Sequence, residues 1–451
     1  MAENLAALGL KLPEIWLPNK DVDLSKWSVV ACDQYTAQPE YWHKAAELVG
    51  ECPSTLQLIF PEVYLGKGNE TERIQGIQSK MQEYLDTAVL VSQGQCLIYL
   101  DRSTAHIASR KGLMVALDLE CYDYNKGSQT LVRATEGTVI DRLPPRVKIR
   151  SGAPLELPHI LVLIDDPDCM VIEPVADKKA RLTKVYDVEL MQGGGHVEGY
   201  KVDDEDILEG IAKGLLKLAD KTSFEEKYGV KGQSVLLYAV GDGNHSLATA
   251  KSIWESVKPG LSPEEFNTHP ARYALVELSN VHDAGITFEP IHRLLFHAEF
   301  DKMKREMQDY FQAQGSSLSL IEVSDEKTMN QRLAELRQKK KADHHIGIIQ
   351  GGKFFIMTVS AVKANLEVGT LQAFLDPFIK KHAGIEIDYI HGADVLTRLG
   401  SKSGNIGFYL PPMDKGDLFK TVIVDGVLPR KTFSMGEAED KRFYMECRKI
   451  L

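Results

Sequence analysis

A chain of 451 residues with 43% hydrophobic and 26% charged residues has the make-up of a globular protein with a large core, and its length suits two or three domains. A net charge of −11 argues against a nucleic-acid surface, yet a bound anion needs only a local cluster of basic side chains. The six cysteines, Cys32, Cys52, Cys96, Cys121, Cys169 and Cys447, form no CxxC pair, which argues against a zinc knuckle or a dithiol redox motif.

The N-terminal MAENLAALGLKLPEIWLP lacks a basic n-region and a long apolar run, so no signal peptide is expected. No stretch reaches the roughly 18 apolar residues of a membrane helix. Scattered thiols fit a reducing compartment. The expectation is a cytoplasmic protein without membrane or nucleic-acid partners.

In chain order, residues 27–32 (WSVVAC) read as a strand ending at Asp33-Gln34-Tyr35-Thr36, followed by a helix carrying Tyr41-Trp42-His43. Residues 70–85 place Ile74, Ile77, Met81 and Leu85 near helical spacing. Strands are expected at 96–100 and 112–119. The stretch RATEGTVIDRLPPRVKIR, residues 133–150, concentrates Arg133, Arg142, Arg146, Lys148 and Arg150 against Glu136 and Asp141. It reads either as a solvated loop and strand or as an anion-binding wall, since guanidinium forks suit phosphate and carboxylate.

Residues 159–164 form an apolar strand stopped by Asp165-Asp166-Pro167. Gly193-Gly194-Gly195-His196 is either a flexible loop or a place where a ligand meets bare backbone beside His196 or Glu198. An acidic start at 203–206 opens a helix with Ile207, Ile211, Leu215 and Leu218.

The stretch from Ser234 to Gly260 organises the rest. An apolar strand (SVLLYAV) enters a turn, GDGNHS, and leaves as a helix with Leu247, Ala250, Trp254 and Val257 on one face, stopped by Pro259-Gly260. Asn244 is the expected N-cap. Gly241 and Gly243 admit a ligand close to backbone, and the first helical turn offers free N–H groups and the positive end of the dipole. Asp242 suits a cation or a base, and His245 suits a phosphate oxygen. An ordinary capped helix after a strand is the plainer alternative.

Further on, a strand is expected at 273–278, and NVHDAGITFEPIHR brings His282-Asp283 and His292-Arg293. The second pair is the better site candidate, because both side chains donate to anions. No HxxxH or similar spacing suggests a preformed zinc site. Helices around 300–313 and 326–340 alternate with strands at 317–323 and 346–350, and Gly351-Gly352 turns into KFFIMTV. A helix at 371–382 follows, then Asp388, His391 and Asp394 as a weak constellation. A strand is expected at 406–410. Leu428-Pro429-Arg430-Lys431-Thr432 is either an exposed tail or a turn that brings Arg430 or Lys431 to an anion.

The phrases RATEGTVIDRLPPRVKIR, GGGHVEGY, VGDGNHSLATAK, EPIHRLL and LPRKTF, in order, resemble a large bacterial family of unknown function. That family is similar to the free serine kinases and, more remotely, to the ParB/sulfiredoxin fold. The kinase likeness rests on Asp242-Gly243-Asn244-His245, which resembles a D-G-x-H phosphate element. Many relatives continue D-G-H-H-R, whereas this chain has Asn244 before His245 and Ser246 in place of the arginine. Arg133, Arg146, Arg293 or Arg430 is then the candidate to supply the missing charge.

The resemblance implies an α+β (mixed α/β) fold, with a ParB/sulfiredoxin-like nucleotide-binding core at 1–295 and an appended α+β subdomain at 296–365. A C-terminal segment at 366–451 is expected to pack back on the core. It implies a kinase acting on a small hydroxylated metabolite such as free serine, with ATP or ADP and Mg²⁺ as cofactors. Gly241, Gly243, Asn244, His245 and Ser246 then hold phosphate, and Asp242 is metal ligand or base. Glu136 is a second catalytic carboxylate, Arg146 or Arg293 clamps a substrate carboxylate, and His196 and His292 sit beside the ligand. Two other readings stay open: a nucleotide-binding switch, and a metal-dependent hydrolase using Asp242, His245, His196 and His292. A homodimer is also left open.

Overall fold

The computed structural model describes residues 2–339 and 342–451. It is a mixed α/β protein of two compact units, Met1–Thr287 with Gly436–Leu451, and Phe288–Met435.

The first unit is built on a mixed sheet. Its strands run in spatial order Thr183–Glu189, His196–Val202, Leu97–Ser103, Arg110–Asp118, Tyr273–Asn280, Leu161–Ile164, Tyr238–Asp242, Val132–Ala134 and Tyr122–Asp123, with Leu10–Lys11 beside Arg110–Asp118. The central strands are apolar because both faces are covered: Val162, Leu163, Ile164, Tyr238, Ala239 and Val240 are all buried. Helix Glu205–Leu218 starts where the acidic run predicts, with the Asp204 carboxylate accepting from the N–H groups of Asp206 and Ile207. It buries Ile207, Ile211 and Leu215 in the same core as Leu247, Ala250 and Trp254 of helix Asn244–Val257.

Strand pairing brings the candidate segments together. Val132–Ala134 runs parallel to Tyr238–Asp242, pairing Ala134 with Val240. Leu161–Ile164 runs antiparallel on the other side, pairing Leu161 with Asp242. The chain therefore leaves Val132–Ala134 towards Glu136, and enters Leu161–Ile164 from His159, at the same sheet end where Asp242 and Gly243 turn into the helix.

Three local expectations need correction. Residues 27–32 are not a strand; Val30 makes one isolated bridge to Arg442, and the run is buried by packing and by bonds such as Ser28 Oγ–H to the Phe443 carbonyl (2.6 Å). The basic stretch is neither loop nor strand over 143–150 but a helix, Leu143–Arg150, with proline at its first turn. Proline is tolerated there because the first N–H groups have no intrahelical acceptor anyway. The N-cap of the site helix is Gly243, left-handed at φ 81°, and Asn244 is the first helical residue.

The glycine triplet is a close-packing device. A Cβ on Gly194 would lie 2.4 Å from Nε of Arg442, so the missing side chain makes room for that guanidinium. Arg442 in turn donates to the carbonyls of Ser28, Glu439 and Met191, which fastens residues 436–451 within this unit.

The second unit is an antiparallel sheet in the order Ser317–Val323, Lys353–Ser360, His344–Gln350, Ile406–Tyr409, Glu289–Phe296 and Glu386–His391, with Phe433–Ser434 also pairing with Glu289–Phe296. Met303, Met307 and Phe311 are the buried residues of helix Phe300–Ala313, while Met329 and Leu333 of Glu326–Lys339 join a core with Ile349 and Ile356. The expected end of the second helix, residue 340, lies outside the described residues. The expected 371–382 helix begins earlier, at Glu367, and runs to Lys381. Among the described residues, no helix is long and apolar enough to cross a membrane.

Candidate functional site

The site is the sheet end where Tyr238–Asp242 meets helix Asn244–Val257. Gly243 is required there twice over. Its φ of 81° is left-handed, and a Cβ would lie 3.0 Å from Cγ1 of Ile160. The helix beyond it has no side-chain cap, so the N–H groups of Asn244, His245 and Ser246 open at its positive end without intrahelical acceptors.

Asp242 is held from two sides. Its Oδ1 accepts the Gly243 N–H at 2.8 Å, and its Oδ2 lies 3.1 Å from the Lys441 ammonium. Burial would lower the Lys441 pKa, but Asp242, Asp33 and Glu136 outweigh it, so it stays above the usual lysine value. Lys441 is thus a firmly protonated cation facing three carboxylates.

Asp33 is surrounded by protein yet keeps an exposed face. Desolvation pushes its carboxyl up, and His159, the Gln34 Nε2–H (3.0 Å) and Lys441 bring it below the usual aspartate value. His159 lies against the edge of Phe443 and places Nε2 2.9 Å from Ser246 Oγ. Burial lowers the His159 pKa, opposed by Asp33 and Asp242. His245 is half-buried. Its Nε2 accepts the Val139 N–H at 3.3 Å, and burial, Arg146 and Arg142 all lower its pKa, so the ring is neutral with Nδ1–H as its donor.

The expected site residues separate into groups. Gly241, Asp242, Gly243, Asn244, His245, Ser246 and Glu136 share this sheet end, Glu136 within electrostatic range of Lys441. Arg146 borders His245, with its guanidinium paired to Glu62 and donating to the Arg142 carbonyl. The 133–150 segment and the 241–246 turn are therefore neighbours.

Arg133, the middle residue of its strand, is buried, and its guanidinium reaches back to residues 130 and 234 and away from the turn. It donates to the carbonyls of Thr130 (2.9 Å) and Ser234 (2.6 Å), and burial lowers its pKa to about 10. His196 lies on the hairpin at the opposite sheet edge, 2.7 Å from Asp187. His292, Arg293 and Arg430 belong to the second unit. His292 Nδ1 accepts the Leu410 N–H (3.1 Å), and Arg293, fully buried, donates to Gln372 and to the carbonyls of Lys431 and Arg430. Arg430 donates to the Tyr389 hydroxyl at 2.9 Å. Among the described residues, no three His, Cys, Asp or Glu side chains are placed to hold a metal ion.

Sequence reasoning missed Asp33, Glu62, His159 and Lys441. The polar DQYT after an apolar run was a signal for Asp33. No local spacing points to Lys441, which reaches Asp242 only through the fold.

Chemically, the arrangement offers backbone donors and an ammonium for an anion, an ionised carboxylate open to solvent, and a hydroxyl–imidazole pair. Comparison with curated proteins finds no match. Among solved structures, the chain is similar to a free serine kinase in complex with AMP, with 11% identity and a TM-score of 0.37, covering 75% of this chain and 92% of that one. It is also similar to SbnI with C-terminal truncation from Staphylococcus aureus, with 10% identity and a TM-score of 0.34, covering 71% and 81%. A conserved hypothetical protein from Pyrococcus furiosus gives 14% identity and a TM-score of 0.33, covering 73% and 97%. The family described as protein of unknown function (DUF1015) matches residues 16–378, four-fifths of the chain, and the protein belongs to that family.

Proposed function

We propose that the protein is a nucleotide-dependent phosphotransferase that phosphorylates a small hydroxylated metabolite, with free L-serine the first acceptor to try. One observation carries this reading. The uncapped helix start after Gly243 shares one sheet end with the Lys441 ammonium and the Asp33 and Asp242 carboxylates. Phosphoryl transfer is chiefly a matter of fixing phosphates and offsetting their charge, which N–H groups and an ammonium do.

Asp33 is the candidate base for an acceptor hydroxyl, because it is an ionised carboxylate with an exposed face. Mg²⁺ bound with nucleotide phosphates needs only one or two carboxylates, so the absence of a three-ligand cluster among the described residues does not conflict with it. Asp242 is the carboxylate that fits, and the ion would offset phosphate charge. Calorimetry with ATP and with ADP, each with Mg²⁺, followed by a screen of hydroxy amino acids, tests the reading. Binding without transfer to any acceptor would leave only a nucleotide site, and no binding at all would sink both.

A second reading, a nucleotide-responsive switch, is favoured by Val139 and Ile140, which are 47% and 57% exposed on the segment that His245 holds. Ligand-dependent self-association without turnover distinguishes it.

A further inference from the structure

Ser246 and His159 make a pair that the reading above does not use. Ser246 Oγ lies 2.9 Å from His159 Nε2, the separation of a nucleophile from its base. Ser246 stands in the first turn of the helix, where its hydroxyl lies beside the backbone N–H groups proposed to take phosphate. His159 is fixed by chain geometry, just before strand Leu161–Ile164, and by the edge of Phe443 at 4.9 Å between ring centroids. Its Nδ1 is buried without a hydrogen-bond partner among the described residues, so Nε2 is where its protein contact lies.

The charges around the ring fit a proton acceptor. Asp33 and Asp242 both favour protonated His159, while burial, Arg146 and Lys441 keep the resting ring neutral. A proton gained during reaction therefore finds two carboxylates arranged to stabilise it.

We propose that Ser246 is the first phosphoryl acceptor of this site, forming a phosphoseryl enzyme with His159 as general base. The inference rests on the phosphotransferase reading. In the first half-reaction the Ser246 Oγ–P bond forms as the phosphoanhydride P–O bond of a nucleoside di- or triphosphate breaks. The Ser246 proton passes to His159 Nε2, and the nucleotide leaves one phosphoryl group shorter. Helix N–H groups and Lys441 face the phosphoryl oxygens. In the second half-reaction the acceptor hydroxyl gives its proton to Asp33 and attacks phosphorus. The P–Oγ bond breaks, and Ser246 recovers its proton from His159.

The test incubates the full-length protein with ATP or ADP and Mg²⁺, without acceptor, followed by intact-mass measurement and peptide mapping. The expected result is a mass gain of one phosphoryl group on the peptide bearing Ser246. It is absent in Ser246→Ala and forms about 10²–10⁴-fold more slowly in His159→Gln. Exchange of label between nucleoside tri- and diphosphate without acceptor should accompany it, a readout that needs no variant. Nucleotide binding by calorimetry in the same preparations separates the two levels. Binding without a phosphorylated Ser246, a label on another residue, or wild-type turnover in Ser246→Ala overturns the covalent step and leaves the site reading standing. No nucleotide binding overturns both.

Discussion

The Lys441 ammonium lies 3.1 Å from Oδ2 of Asp242, joining a residue near the C-terminal end of the chain to the turn between strand Tyr238–Asp242 and the site helix. Neither partner is fully exposed, with 23% and 33% of the two side chains accessible, so solvent screens the pair only in part.

Replacing Lys441 by Met removes the countercharge and leaves Asp242 beside Asp33 and Glu136. Nucleotide affinity should fall by at least about tenfold, as expected for a lost charge-assisted contact, while Lys441→Arg retains part of it. Calorimetry on the three proteins decides this. The raised Lys441 pKa also has a pH signature: its stabilisation is complete below the usual lysine value of 10.5 and is lost as pH rises through the higher folded value. Alkaline melting curves of wild type should therefore converge on those of Lys441→Met.

Gly243→Ala puts a Cβ on a left-handed residue and drives it against Ile160. A cost of about 1–3 kcal/mol is expected in urea unfolding, with weaker nucleotide binding because the first N–H groups shift. Unchanged stability and binding would mean that the turn relaxes freely.

Gly194→Ala acts at a distance in sequence. Its Cβ displaces the Arg442 guanidinium, and Lys441 is the residue immediately before Arg442. Overpacking of this kind costs about 1–3 kcal/mol. Nucleotide affinity should fall as well, although residue 194 is not among the site residues. A Gly194→Ala protein with lowered melting temperature and intact affinity would show that Arg442 does not set the position of Lys441.

His292 in the second unit has its pKa lowered to about 4, first by burial and then by Arg293 and His391. The unfolded chain takes up this proton below about 6.5, whereas the folded chain refuses it until about 4. Stability therefore falls across that window as pH drops, by roughly 3 kcal/mol in all. His292→Asn keeps an acceptor for the Leu410 N–H but does not titrate. The difference in urea midpoint between pH 7 and pH 4.5 should be smaller in that variant than in wild type.

The strand, turn and helix around GDGNHS were legible because they are local: apolar run, glycine punctuation and a 3.6-residue pattern follow one another. The basic stretch was legible as a charge cluster but not as a helix. Pro144 and Pro145 look like a break, and only their position in the first helical turn makes them compatible with one. Arg133 and His196 show the limit of composition. An arginine in a basic segment and a histidine beside glycines both read as ligands, yet one is tied to backbone carbonyls and the other to Asp187. Asp33, His159 and Lys441 converge through strand order and tail packing, which no short window of sequence encodes.

The first unit is interrupted in sequence by residues 288–435 and resumes only at Gly436. On the ribosome, the sheet that carries Asp242 emerges long before the strand partner of Leu155–Glu156 and the cation of the site. The entire second unit is synthesised in between. Domains ordinarily complete themselves from the N-terminus as they emerge. Here the earlier unit must wait, with Glu156 lacking Arg448 and Asp242 lacking Lys441, until residues 436–451 have emerged. The site thus becomes electrostatically complete only after residues 436–451 have been made, so a chain that stops short of them carries the turn without its countercharge.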